Sequence, residues 1–536
     1  MPMGPDFHIS LGGIIRCPRC GSRFGNSQVV DQPGSPVERL VCTKCIDRYP
    51  IRDGVPYLVT PGPQVLGTIH ELLMYWRFYE RLRHRRIERD RLEEKFSEFS
   101  SSIHTYRTTF YNGISRIDFS KAPLICDVGA GMCETSFVLS QRGARVVATD
   151  FSPLDLLNPR LFSLHSEEVT DFYQAFDGIA PIDADAAGLR RIVCEASVLP
   201  FDDETFDIVF CRSMLHHVPD IPGTLAEMTR ILKPGGALII VCEPGRSPLD
   251  SERHYLDYLL DYQEGINEQA PTVFTFWRAL RKIGLGQISI ECYTPAFGYR
   301  VGKLLRRLNV HPDPQRYVGM RASSWWKLLP FVWLGCVVNI YATKVQPPRS
   351  ARASARKALL ATGSDSSAIF PQPFADLLFA FEENLPVLRR IVRSQIPVSS
   401  LKRTIDFAEE LSPLNRVGWR DPELIGVEKA RYPLGDAICY LQGNTSASRL
   451  EIDLFGVPRR VARKFALSVA VNDVSLPIDR GIKPGWQTLQ IDLAPVPDKS
   501  ILEVHLHQKG LFRPYDIFGV DDYRELGVGI KRISIV

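Results

Sequence analysis

Pro123-Leu-Ile-Cys-Asp127-Val-Gly129-Ala-Gly131-Met-Cys133-Glu-Thr135 runs from an apolar strand through two glycines into a helix start. Glycines at a strand–helix turn let backbone approach a ligand closely. Three further elements follow in order. Arg145-Val-Val-Ala-Thr-Asp150 predicts a second strand ending in a carboxylate suited to ribose hydroxyls. Cys194-Glu195-Ala196, then Leu199-Pro200-Phe201, lead to a strand over 208–211. Met214-Leu-His216-His217, a helix and Leu232-Lys-Pro234-Gly235-Gly236 then lead to a strand over 237–242. This is a βαβ alternation, with a parallel sheet as its consequence. A nucleotide cofactor of the NAD type is disfavoured, because the first turn lacks the continuing GxxG spacing.

The ordered set resembles the class I S-adenosylmethionine-dependent methyltransferases, in the branch with a Leu-Pro-Phe loop and a Leu-Lys-Pro-Gly-Gly turn. The resemblance covers about residues 120–244. It implies a Rossmann-like, seven-stranded, mostly parallel sheet, with strands over 288–293 and 337–344 at its antiparallel end. It also implies S-adenosylmethionine as cofactor. Asp127, Gly129 and Gly131 match the loop under the donor's methionine and ribose, and Asp150 the ribose acid. Glu195 and Ala196 match the adenine contacts; Cys133 replaces the usual third glycine. Retention of these residues argues against a non-catalytic scaffold with a vestigial pocket.

The sulfonium methyl is already electrophilic, so alignment is the main requirement, and a hydroxyl acceptor benefits from a base. His217, on the loop that faces the donor methyl in the family, is the candidate catalytic base. A structural His at the following turn is the alternative. Glu243, just after a strand, is a candidate acceptor contact or helix cap. Residues 153–191, with four aromatics, suggest a lid or an extra helix pair. Residues 300–327 carry seven Lys or Arg against one acid, followed by Trp325 and Trp326 within the same stretch. That suits a phosphate-bearing acceptor, nucleic acid or an anionic membrane surface, or simply a solvated helix face.

Cys17-Pro-Arg-Cys20 and Cys42-Thr-Lys-Cys45 are two CxxC knuckles. Four thiolates in two such turns can enclose a tetrahedral Zn²⁺ with no open position, hence structural rather than catalytic. With Tyr49-Pro-Ile-Arg-Asp-Gly-Val-Pro-Tyr57-Leu58, they resemble the zinc ribbons of small activator subunits of RNA and protein methyltransferases. The resemblance implies a binding or packing module.

The chain has 536 residues, long enough for about three or four domains. Charged residues are 24%, hydrophobic residues 45% and net charge +4, which excludes a mainly disordered chain and does not demand nucleic acid. The twelve cysteines are too sparse for a disulfide scaffold and fit a reducing cytoplasm. No signal peptide and no membrane-length apolar run is read, so a cytoplasmic location is expected, with attachment to the inner membrane face open.

Five segments are expected: a zinc ribbon (1–61), a helical connector (62–115), the methyltransferase domain (116–346), a linker (347–365) and a helical lead-in with a β-sandwich (366–536). The last reading rests on period-two runs such as Leu450-Ile452-Leu454, Leu489-Ile491-Leu493 and Leu502-Val504-Leu506. His505 and His507 alternate with them and read as solvent-facing. Gly418-Trp419, Val471-Asn472-Asp473 and Leu526-Gly527-Val528-Gly529 resemble an accessory jelly-roll-like domain of bacterial polysaccharide-biosynthesis enzymes. The expected reaction is therefore methyl transfer to a hydroxyl of a saccharide, or of a lipid- or nucleotide-linked sugar, in a surface polysaccharide pathway. An RNA base methyltransferase is the alternative. Oligomeric state is not legible.

Overall fold

The computed structural model describes residues 13–60, 109–153, 189–249, 268–293, 336–345, 374–409 and most of 411–536, with short internal gaps and a few isolated positions between. The linker and most of the suggested lid, the basic stretch and the connector lie outside the described residues. The chain forms two compact units.

The first unit takes in the cysteine-rich region and the methyltransferase-like region. Its small sheet joins β1 (Gln28–Gln32), β2 (Ser35–Val41), β3 (Arg48–Arg52) and β4 (Val55–Pro56) in that order, all antiparallel. Its large sheet contains β5 (Leu124–Val128), β6 (Arg145–Asp150), β7 (Arg190–Val193), β8 (Phe206–Arg212), β9 (Leu232–Gly245), β10 (Leu285–Tyr293), β11 (Met320–Arg321) and β12 (Cys336–Lys344). The order is β11-β10-β12-β9-β8-β5-β6-β7. Strands β5 to β9 are parallel, and β12, β10 and β11 add an antiparallel end. These are the seven expected strands plus a two-residue eighth, β11.

The parallel strands are apolar because both faces are covered. Val128, Val147, Ile192, Val209 and Ile240 are all buried. Helices α1 (Glu134–Gln141), α2 (Ile221–Ile231) and α3 (Val273–Lys282) belong to this unit. Asp220 caps α2 by accepting from the Gly223 amide, and Thr272 closes a capping box on α3.

The Leu-Lys-Pro-Gly-Gly segment differs from expectation. It is not a turn ahead of the strand but part of β9. Phe206 pairs with Leu232 and Ile208 with Ala237, so β9 carries extra residues opposite β8. Gly235, at φ +77°, supplies the left-handed bend that this bulge requires.

The order of strands places a topological switch between β5 and β8. The chain winds from β5 through β6 to β7 on one side, then returns to β8 and β9 on the other. Ligands of open α/β sheets bind at the carboxyl ends of strands beside such a switch.

The cysteine-rich sheet adjoins the β7 end of the large sheet. Tyr57 forms a parallel bridge with Val193, and the Leu58 amide donates to the Val193 carbonyl at 2.8 Å. Ile15 bridges Phe201, the Arg16 amide donates to the Pro200 carbonyl at 2.8 Å, and the Asp202 amide to the Ile14 carbonyl at 2.9 Å. The Arg16 guanidinium pairs with Asp202. Segment 193–202 is thus held at both ends. Helix α4 (Phe374–Phe379) packs on β3, and Arg39 of β2 pairs with Asp376. It is followed by α5 (Phe381–Ser394).

The second unit holds two four-stranded antiparallel sheets and a small hairpin. Its strands are β13 (Thr404–Asp406), β14 (Glu423–Ile425), β15 (Glu428–Ala430), β16 (Asp436–Gln442), β17 (Arg449–Gly456), β18 (Ala466–Val471), β19 (Val474–Leu476), β20 (Gly485–Asp492), β21 (Ile501–Lys509) and β22 (Gly529–Ile535). One sheet runs β13-β22-β17-β20, the other β16-β21-β18-β19, and β14 pairs with β15. Both large sheets feed one core, with Ile452, Leu454, Ile491, Leu502, Val504 and Leu506 buried in it. Trp419 lies against Phe407, ring centroids 4.1 Å apart, and donates its indole N–H to the Ile438 carbonyl.

Among the described residues, no helix is long and apolar enough to cross a membrane.

Candidate methyl-donor and acceptor site

The glycine turn follows β5. Gly129 and Gly131 have φ of +71° and +51°, values that L side chains rarely adopt. A Cβ on Gly129 would stand 2.1 Å from Met214 Cγ, so the loops after β5 and β8 meet across the switch. No described atom lies within 4 Å of where a Cβ on Gly131 would stand. Cys133 also takes a left-handed φ of 64°, as the N-cap of α1. It does conformationally what the missing third glycine would do.

Asp127 is buried at the end of β5, where its Oδ2 accepts from the Ser136 hydroxyl at 2.6 Å. Its Oδ1 has no hydrogen-bond partner among the described residues. Burial pushes its carboxyl up to about 7, against the pull of Ser136 and the Arg212 charge. Asp150 ends β6 and pins the glycine turn, accepting from the Gly131 amide at 2.8 Å and the Ser152 amide at 2.8 Å. Burial raises its carboxyl too, with those amides opposing. Glu195, after β7, accepts from the Ser197 hydroxyl at 2.8 Å, and burial raises it also. Ala196 is half-buried beside it. Asp127, Gly129, Gly131, Asp150, Glu195 and Ala196 therefore all follow or end β5, β6 or β7 at the carboxyl edge of the sheet. An acceptor oxygen without a partner and open space beyond a glycine fit a bound donor.

Glu243 lies near the end of β9 and is fully buried. Its Oε1 accepts from the Met214 amide at 2.7 Å and the Leu215 amide at 2.9 Å, and its Oε2 lies 2.9 Å from His216 Nδ1. Sequence reasoning made it a candidate acceptor contact or helix cap; the contacts seen hold the loop after β8. His217 is on that loop, 20% exposed, with Nδ1 3.4 Å from Oε1 of Glu268, which is buried. The His216 and His217 rings lie 4.1 Å apart between centroids. Glu268 was missed in the sequence, having no motif around it. Gln269 fixes it in place: its amide donates to the His216 carbonyl at 2.7 Å, and its side chain to the Val218 carbonyl.

The four knuckle cysteines converge. All four Sγ atoms lie within 4.8 Å of one another, with Cys17–Cys45 at 3.5 Å and Cys20–Cys42 at 3.4 Å. Bonds of about 2.3 Å in a tetrahedral zinc site put sulfurs about 3.8 Å apart, so the set fits such an ion. The Lys44 and Cys45 amides point at Cys42 Sγ. None of the described cysteines forms a disulfide. His505 in the second unit is engaged by Glu503, and no metal-binding group includes it among the described residues.

A family model described as "Methyltransferase domain" matches residues 126–240. A demethylmenaquinone methyltransferase of Thermobifida fusca is 31% identical over 136 residues, 25% of this chain and 50% of that protein. A ubiquinone biosynthesis O-methyltransferase of Hahella chejuensis is 32% identical over 114 residues, 21% of this chain and 40% of that protein. The chain spans about half or less of the length of these curated relatives. Among solved structures, phosphoethanolamine N-methyltransferase 2 of Haemonchus contortus, in complex with S-adenosyl-L-methionine, is 18% identical. That match covers 48% of this chain and 60% of that one, at a TM-score of 0.29. Sheet order, glycine turn and sequence match agree: the chain carries a class I S-adenosylmethionine-dependent methyltransferase domain.

Proposed function

We propose that this chain transfers the methyl group of S-adenosylmethionine to a hydroxyl of a saccharide, or of a lipid- or nucleotide-linked sugar. The observation that carries the donor half is the pinned glycine turn: Gly131 N–H on Asp150, with the open Asp127 oxygen beside it. In this reading Asp127 and Asp150 hold the donor's methionine and ribose, and Glu195 and Ala196 its adenine. Bound donor supplies an electrophilic methyl; the protein supplies alignment and exclusion of water. His217 assists loss of the acceptor's proton, and Glu243 positions the loop that carries it. The four cysteines hold a structural zinc.

The saccharide reading is favoured by the sequence resemblance over 411–536. A phenolic hydroxyl is the second reading, favoured by the curated relatives named for ubiquinone and menaquinone biosynthesis. The test is to incubate the full chain with methyl-labelled S-adenosylmethionine and separated nucleotide sugars, lipid-linked glycans, quinone precursors and RNA. Label in a sugar fraction is expected. Label confined to quinone precursors or to RNA overturns the saccharide assignment, and no label in any fraction overturns methyl transfer.

A further inference from the structure

His216, His217 and Glu268 each bring one ligand atom to within 4.8 Å of the other two. The geometry points to a divalent-cation site of the zinc or cobalt type, separate from the four cysteines, that binds the acceptor oxygen beside the donor.

The donor set is two imidazoles and a carboxylate, which suits zinc, cobalt or nickel better than magnesium. Ligand–metal bonds of about 2.1 Å place neighbouring ligand atoms about 3 to 3.5 Å apart. His217 Nδ1 and Glu268 Oε1, at 3.4 Å, already have that spacing. His216 is prepared by an outer carboxylate. Its Nδ1 lies 2.9 Å from the fully buried Glu243, which fixes the orientation of the ring. Glu268 is likewise held, through Gln269, to the carbonyl of His216. The side chains of His216 and His217 remain 12% and 20% exposed, so the set is open on one side. Catalytic metal sites keep such an open position, whereas closed ones are structural. The location fits as well. Met214, two residues before His216, touches the glycine turn that follows β5.

The use of this site, though not its existence, rests on the proposed methyl transfer to a hydroxyl. The acceptor oxygen would enter as a further ligand, and its proton would leave to solvent. Its electron pair then forms the O–C bond as the C–S bond breaks, with that pair returning to sulfur. On this account His217 holds the cation and does not itself take the proton.

The test is titration of the zinc-loaded full chain with Co²⁺, followed by visible absorption. We expect one equivalent to bind with d–d bands and without thiolate charge transfer. Glu268→Gln and His217→Gln should each weaken it at least tenfold, with circular dichroism unchanged. No saturable binding, charge-transfer bands that place the cobalt on cysteine, or binding unchanged in both variants overturns the site. If no cobalt binds while a hydroxyl is still methylated in chelator, the cation site fails and the methyl-transfer reading stands. If cobalt binds as expected and no hydroxyl is methylated, the site stands and that reading fails.

Discussion

At the scale of single residues, Asp127 makes the sharpest demand. Its carboxyl is pushed up to about 7 by burial, so near neutral pH it is only partly ionised. In the proposed reading the donor, which carries positive charge, binds the carboxylate form of Asp127. Donor affinity should therefore rise from pH 6 to pH 8, with about a tenfold loss per unit below 7. Calorimetry with S-adenosylmethionine across that range checks it, and Asp127→Asn should flatten the profile. The stability term has the opposite sign from an ion-paired acid. The folded chain retains a proton that the unfolded chain releases, so this contribution to stability falls as pH rises from the ordinary value of 3.8 toward 7. The placement of Asp127, Gly129, Gly131 and Asp150 around the glycine turn was legible because a strand–turn–helix needs those residue types at fixed spacing. Glu268 was not, because its meaning comes from a partner distant in the chain. Glu243, read as lying just after a strand, lies inside β9, and the amides of Met214 and Leu215 that claim it carry no side-chain signature.

At the scale of elements, segment 193–202 links the cysteine cluster to the proposed donor pocket. Leu58 holds one end through Val193, and Ile14 and Arg16 hold the other through Pro200 and Asp202. Arg16 directly precedes Cys17, and Glu195 and Ala196 lie between the two clamps. Cys17→Ser should release zinc and reduce donor affinity at least about tenfold, or about 1.4 kcal/mol. Metal analysis and donor calorimetry on the same preparation check both halves; donor affinity unchanged after zinc loss would refute the link. The strands themselves were legible from their apolar runs. Their docking was not, because backbone bridges such as Tyr57 to Val193 leave no mark on residue type. The bulge in β9 was hidden for a related reason: Pro-Gly-Gly usually ends a strand, yet here it bends one.

At the scale of the whole molecule, the two compact units have their own buried cores. Ile452 is fully buried in the second. Ile452→Ala should destabilise that unit by about 2–5 kcal/mol. In thermal unfolding we expect an earlier transition, with donor affinity within about twofold of the parent. A matched loss of donor affinity would show the units to be energetically one. The two-sheet core was legible because alternation over Leu450, Ile452 and Leu454 admits only one buried face.

The bridge from Tyr57 to Val193 also has a bearing on solubility. Strand β7 closes one end of the large sheet, and its outer backbone groups meet the cysteine-rich module there. An uncovered strand of that kind is a template for another chain. With the proposed zinc bound, the module would act as a chaperone-like cap carried in cis, and a chain that loses the ion would bare the backbone edge of Arg190–Val193, through which copies can stack.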